Sequence, residues 1–169
     1  MKSSILRISF QFLFFLMLAL PASALEALKG EAILEVSGEI SVFNTADGKA
    51  QFDQAALNKY ATTTVITETP WTNGLVTFEG VLVRDILASL KHKGSQVAAT
   101  AINDYTVKIP IKDFDDYNVI LAYKMNGKVM NIRDKGPLWL IYPWTENPEL
   151  KTELYHSRSI WQLKLLTVK

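Results

Sequence analysis

The chain has 169 residues, no cysteine, and 18 basic against 17 acidic side chains. Zero cysteine excludes thiolate catalysis, cysteinyl zinc sites and thiolate ligation of other metals. The near-neutral balance leaves no electrostatic footprint for nucleic acid or a membrane surface.

Lys2 and Arg7 precede an apolar run from Phe12 to Leu20, and Ala22-Ser23-Ala24 supplies small residues for cleavage. The segment reads as an export signal, with Leu25 as the mature start. The run falls short of the roughly 20 apolar residues that a retained anchor needs. No later run is long enough to span a bilayer. Residues 25–169 then make about one domain, with 16 basic and 17 acidic side chains.

Ala32 to Gly38 reads as a strand ending at glycine, and Glu39 to Phe43 alternates as a half-buried strand does. Asn44 to Lys49 is a loop with an Asp-Gly turn. Asp53 is placed to cap a short helix through Tyr60, with Phe52 and Leu57 facing the core. The β-branched run Thr62 to Glu68 predicts a strand, broken by Thr69-Pro70-Trp71-Thr72-Asn73-Gly74. Leu75 to Phe78 forms another short strand. Val81 to Lys91 has the periodicity of an amphipathic helix, with Gly94 as a stop.

Val97–Ala101 and Tyr105–Ile109 read as strands around an Asn103-Asp104 turn. Ile111 to Phe114 is one helical turn. Tyr117 to Met125 is an apolar strand, and Asn126-Gly127 is the strongest hairpin signal in the chain. Arg133 to Pro137 is a charged, glycine-punctuated loop that runs into a core strand, Leu138 to Tyr142. Trp144 to Leu154 is polar and reads as exposed. Trp161 to Val168 is the last strand. Strands outnumber helices without regular alternation, which predicts an α+β fold with mixed or antiparallel sheets.

Three polar sets fall at strand ends. They are Glu68-Thr69-Pro70-Trp71, Asn103-Asp104-Tyr105, and Arg133 and Lys135 together with Tyr155 to Ser159. Each pairs hydrogen-bonding groups with an aromatic side chain. A flat polar heterocycle wants that mixture, since aromatic faces stack on it and a few polar groups read its edge. A carboxylate such as Asp104 can accept two parallel N–H bonds from a guanidine-like edge. Simpler readings stand beside these: Asn103-Asp104 as a turn, Trp71 as a core plug, Arg158 as a surface ion partner. The histidines, His92 and His156, are too isolated in sequence to make a metal site. Gly-x-Ser-x-Gly, P-loop and His-Glu-x-x-His motifs are all absent.

Phe78-Glu79-Gly80-Val81-Leu82, Gly136-Pro137-Leu138-Trp139-Leu140-Ile141-Tyr142-Pro143 and Ser157-Arg158-Ser159-Ile160-Trp161 occur in one order with Val65 to Trp71 and Asn103 to Tyr105. Together they resemble the molybdopterin-binding domain of the sulfite oxidase family. The resemblance implies that family's fold. In its enzymes a cysteine in the segment resembling Thr67 to Trp71 ligates molybdenum. Here Glu68 or a threonine stands near that place, and a hard carboxylate does not replace a thiolate. Redox activity and molybdenum are therefore not expected.

The chain most resembles small periplasmic pterin-binding regulators without the metal ligand. That resemblance implies a non-catalytic protein of the periplasm. It would bind a pterin and engage the periplasmic domain of a membrane diguanylate cyclase or phosphodiesterase. The expected ligand contacts are Asp104 on the 2-amino and N3 edge, and Trp71, Tyr105 or Trp161 stacked on the ring. Arg133, Lys135 and Arg158 would line the rest, with Asn103, Gly136, Ser157 and Ser159 beside them. The rivals are a molybdopterin oxidoreductase ligating through Glu68, and a ligand-free adaptor using Trp144 to Leu154 as its contact surface.

Overall fold

The sheets grow out of three local signals: β-branched runs, tight turns at Asn and Gly, and apolar stretches buried on both faces. The computed structural model describes residues 25–169. The expected export signal lies outside the described residues. Among the described residues, no helix is long and apolar enough to cross a membrane.

One five-stranded sheet has the order β2-β1-β10-β5-β6. It contains β1 (Leu34–Gly38), β2 (Ala50–Phe52), β5 (Gln96–Ala101), β6 (Thr106–Pro110) and β10 (Leu163–Val168). Only β1 and β10 run parallel; its other pairs are antiparallel. The second sheet has the order β3-β4-β7-β8, with β9 also paired to β7. Its strands are β3 (Thr62–Thr67), β4 (Val76–Leu82), β7 (Ile120–Met125), β8 (Lys128–Val129) and β9 (Trp139–Ile141), all antiparallel. Four short helices complete the fold: α1 (Gln54–Leu57), α2 (Val83–Ser89), α3 (Ile111–Asp116) and α4 (Glu153–Arg158). The α+β expectation, with mixed and mostly antiparallel sheets, holds.

The near-continuous apolar sequence of β7 and β9 follows from burial on both faces. Leu121, Tyr123, Leu140 and Tyr142 enter a core shared with β1, β5, β10 and α2. Their sequence neighbours Ile120, Ala122, Trp139 and Ile141 enter a second cluster with Val65 and Phe78. The hairpin at Asn126-Gly127 forms as predicted, both residues having positive φ (50° and 75°). Gly80 sits at a register shift between β4 and β7, where a Cβ would strike the Leu121 carbonyl.

Four expectations need correction. Glu39–Phe43 is a loop, because Gly38 turns away at φ 88° and the Ser41 and Val42 amides bond the Leu90 carbonyl at 2.9 and 3.2 Å. The strand starting near Leu75 runs on through Leu82, so α2 begins at Val83 and keeps Ile86, Leu87 and Leu90 inward. The helix expected from Asp53 to Tyr60 is a single turn, though Asp53 caps it through a 2.7 Å bond from the Ala56 amide. Trp144–Leu154 is largely exposed, as expected, but it is not a plain loop: Trp144 and Leu150 are buried, Pro148 opens a 3-10 turn, and α4 begins at Glu153.

Candidate ligand-binding site

The loop after β3, the β5–β6 hairpin, and the chain from α4 to Trp161 meet around a cavity of about 440 Å³. That volume lies within the usual range for small-molecule sites, about 300–1,000 Å³. Trp71, Tyr105 and Trp161 supply aromatic wall; Asn103, Glu153, His156, Ser157 and Ser159 supply polar atoms.

Trp71 is the centre of the wall. Its ring lies 5.2 Å from Trp161, 5.9 Å from Trp139, 6.3 Å from Trp144 and 6.0 Å from His156, edge-on or tilted in each case. The Thr69 hydroxyl accepts the Trp71 amide at 3.1 Å, which holds the tight Thr69–Trp71 bend after the strand. Trp161 is backed by the Arg133–Pro137 loop. The Lys135 ammonium lies 5.8 Å from the Trp161 ring and 5.7 Å from that of Trp139, a cation–π arrangement. Lys135 itself adopts the left-handed conformation, φ 71°, and its carbonyl accepts the Gln162 amide at 3.0 Å. At Gly136 a Cβ would collide with the Met130 carbonyl, so the turn admits only glycine there.

On the opposite side, α4 presents Glu153, His156 and Ser157, spaced so that one helical face lines the cavity. His156 packs between Trp71 and Trp144, with Nδ1 3.9 Å from Glu153. The Ser157 hydroxyl turns back to donate to the Leu154 carbonyl at 2.7 Å. Ser159 is 1 % exposed and lines the cavity, and its hydroxyl has no hydrogen-bond partner. Its carbonyl accepts the Trp139 indole N–H at 3.0 Å, which fixes the backbone around that free hydroxyl. A buried, unpaired hydroxyl costs roughly 1–3 kcal/mol until something bonds it.

Several predicted contacts sit elsewhere. The Asp104 carboxylate is bound by Lys164 at 2.7 Å on the exposed hairpin, with φ 66°, and does not line the cavity. Asn103 does line it, its side-chain oxygen accepting the Tyr105 amide at 3.2 Å. Arg158 points inward. Its guanidinium donates to Asp113 at 2.8 Å, and the Tyr142 hydroxyl donates to the same carboxylate oxygen at 2.8 Å. Both charged side chains are largely buried, 13 % and 9 % exposed, so Arg158 bolts α4 to α3 and β9 instead of facing the cavity. Burial, with the Asp113 charge beside it, pushes the Tyr142 hydroxyl pKa well above its ordinary value. Arg133 is exposed in a separate shallow hollow with Ile102, Ile132 and Pro137. Glu153 was missed as a site residue, and His156 was weighed only within a polar set and as a metal ligand, because α4 is too short to announce itself by periodicity.

In the segment after β3, the Thr67 hydroxyl pairs with that of Thr145 at 3.1 Å, and the Thr145 amide donates to Thr67 at 3.0 Å. Glu68 faces solvent, 4.0 Å from Lys151.

Residues 41–147 match the family model described as the oxidoreductase molybdopterin binding domain. Among solved structures, the sulfane dehydrogenase SoxCD from Paracoccus pantotrophus is similar, with a TM-score of 0.59 at 19 % identity. The match covers 85 % of this chain and 39 % of that one, so the chain spans well under half the length of that protein. No curated protein matches. The agreement of sequence pattern and fold over most of the described residues places this chain in the oxidoreductase molybdopterin-binding domain family.

Proposed function

We propose that the protein binds a pterin in the cavity between Trp71, Tyr105, Trp161 and Ser159 and performs no redox chemistry of its own. The observation that carries this reading is the cavity itself, walled by the Trp71, Tyr105 and Trp161 rings with Asn103, His156, Ser157 and Ser159 among its polar lining residues. A pterin offers a flat face for the rings and a donor–acceptor edge for Ser159 and Asn103. The edge-reading role expected of Asp104 passes to these two, since Asp104 is engaged by Lys164. Among the described residues, no arginine or lysine lines the cavity, which suits an uncharged pterin better than a phosphorylated molybdopterin.

The residues present do not fit the metal. The chain has no thiolate. Among the described residues, no three His, Asp or Glu side chains converge as a ligand set. Where the family's enzymes carry cysteine, Thr67 is paired to Thr145 and Glu68 turns to solvent. The match to an oxidoreductase domain family supports an enzyme as the second reading; that reading would need atypical ligation, with Glu68 as its candidate ligand.

The finer role is also proposed. The protein works in the periplasm after signal cleavage and reports pterin occupancy to the periplasmic domain of a membrane diguanylate cyclase or phosphodiesterase. The support is the export-signal pattern of residues 1–24 and a cavity that opens to solvent beside exposed Tyr105 and Leu154.

The deciding experiment is mass spectrometry of small molecules released from the purified protein, with metals quantified in the same sample. A pterin without molybdenum is expected. Stoichiometric molybdenum would establish the enzyme reading, and a protein that neither carries nor takes up pterins would overturn both.

A further inference from the structure

The strand edges of this fold are unequally guarded. Exposed edges invite pairing with other chains, and proteins blunt them with charge, proline, bulges or short length. Strands β2, β8 and β9 have only three, two and three residues. The β6 edge carries Lys108, ends in Pro110, and has α4 packed against it. By contrast, β3 runs Thr-Thr-Thr-Val-Ile-Thr, six β-branched residues with no charge, proline or glycine. It pairs with β4 through six consecutive positions without a bulge. Among the described residues, no backbone group of Thr62–Thr67 is bonded outside that pairing. Ile66 is 52 % exposed, and Leu75, beside the end of β3, is 60 % exposed.

We infer that the free edge of β3 is where two copies of this chain pair, antiparallel, across a twofold axis. The inference does not depend on the ligand reading. Symmetry admits registers centred on a residue. Centred on Thr64, Glu68 lies opposite Tyr60 of the other copy; centred on Val65, it lies opposite Thr62. Neither register opposes like charges, since Thr62–Thr67 carries none and Glu68 meets Tyr60 or Thr62. A foreign strand selected by charge would find nothing to read between Thr62 and Thr67, whereas a second copy meets a matching uncharged surface. Ile66 gains an uncharged cross-strand neighbour in either register, Thr62 or Thr64. A pair of six-residue strands buries less than the roughly 1,200 Å² of a standard interface, so the dimer is reversible.

Sedimentation equilibrium of the purified protein over a range of concentrations tests this. The expected result is a mass rising from one chain toward two in the native protein, and a single-chain mass throughout in Thr64→Lys/Ile66→Lys. Both substituted side chains are exposed, and an unchanged far-UV circular dichroism spectrum confirms folding. Because the chain has no cysteine, Thr64→Cys and Thr64→Cys/Ile66→Cys provide a second readout at exposed positions: the first forms a covalent dimer on mild oxidation in the register centred on Thr64, and only the second does so in that centred on Val65, where Thr64 lies opposite Ile66. A native protein that stays monomeric, a lysine variant that still dimerises, or failure of both cysteine variants to cross-link overturns the inference.

Discussion

Ser159 and Arg158 are neighbours with opposite duties. Ser159 lines the cavity with its hydroxyl buried and unpaired, while Arg158 spends its charge on Asp113. On the proposed reading, in which a bound pterin bonds this hydroxyl, Ser159→Ala should weaken pterin binding by about 0.5–1.5 kcal/mol, roughly 2- to 13-fold, without lowering stability. Titration calorimetry beside thermal unfolding checks both halves. Trp161→Ala removes a stacking surface and should cost about 1–3 kcal/mol of binding, judged by aromatic–base stacking elsewhere. Arg158→Ala should act on stability. Removing one partner of a buried pair strands the other charge and costs about 3–5 kcal/mol, measurable by urea unfolding. Preserved stability with lost binding would instead place Arg158 in the ligand contact that its sequence position suggested.

At the scale of elements, the turn at Asp53 couples α1 to the start of the described chain. Its carboxylate accepts amides from Ala56, Lys29 and Gly30 at 2.7, 2.8 and 2.7 Å. These bonds, that from Ala56 foremost, hold its pKa below the ordinary 3.8. A depressed folded-state pKa contributes stability that is present above the unfolded value and lost as pH falls through the folded one. Asp53→Asn should therefore lower Tm at neutral pH and show a shallower further loss below about pH 4 than the native protein. Parallel melting curves across that range decide it. Elements of this kind were legible from sequence. The Asn126-Gly127 hairpin, the β5–β6 turn and the Asp53 cap each rest on side-chain or backbone preferences acting within four residues. Helix α4 was not legible, since its six residues carry no capping side-chain bond and only a short apolar period.

Over the whole molecule, one buried cluster takes residues from both sheets and from α2 and α3. Neither sheet keeps a complete core without the other, so unfolding should be a single cooperative transition. Near-UV and far-UV circular dichroism should give coincident urea curves, and separated midpoints would show that the sheets fold independently. All four tryptophans, Trp71, Trp139, Trp144 and Trp161, form one connected aromatic group that reaches the cavity wall through Trp71 and Trp161. The near-UV signal therefore reports the site and the core together.

The sequence by itself determined most of the strands and their turns, the absence of a thiolate and the family, because each is written in local preference or in residue identity. It also marked Trp71, Asn103, Tyr105, Ser157, Ser159 and Trp161, which the fold gathers around one cavity. Only the tertiary structure decided which polar groups face that cavity. Asp104 and Arg158 carry the right chemistry, yet Lys164 and Asp113 claim them, and both partners lie at least 45 residues away along the chain. Charge pairing across such separations depends on how strands and helices pack, and no local pattern encodes it.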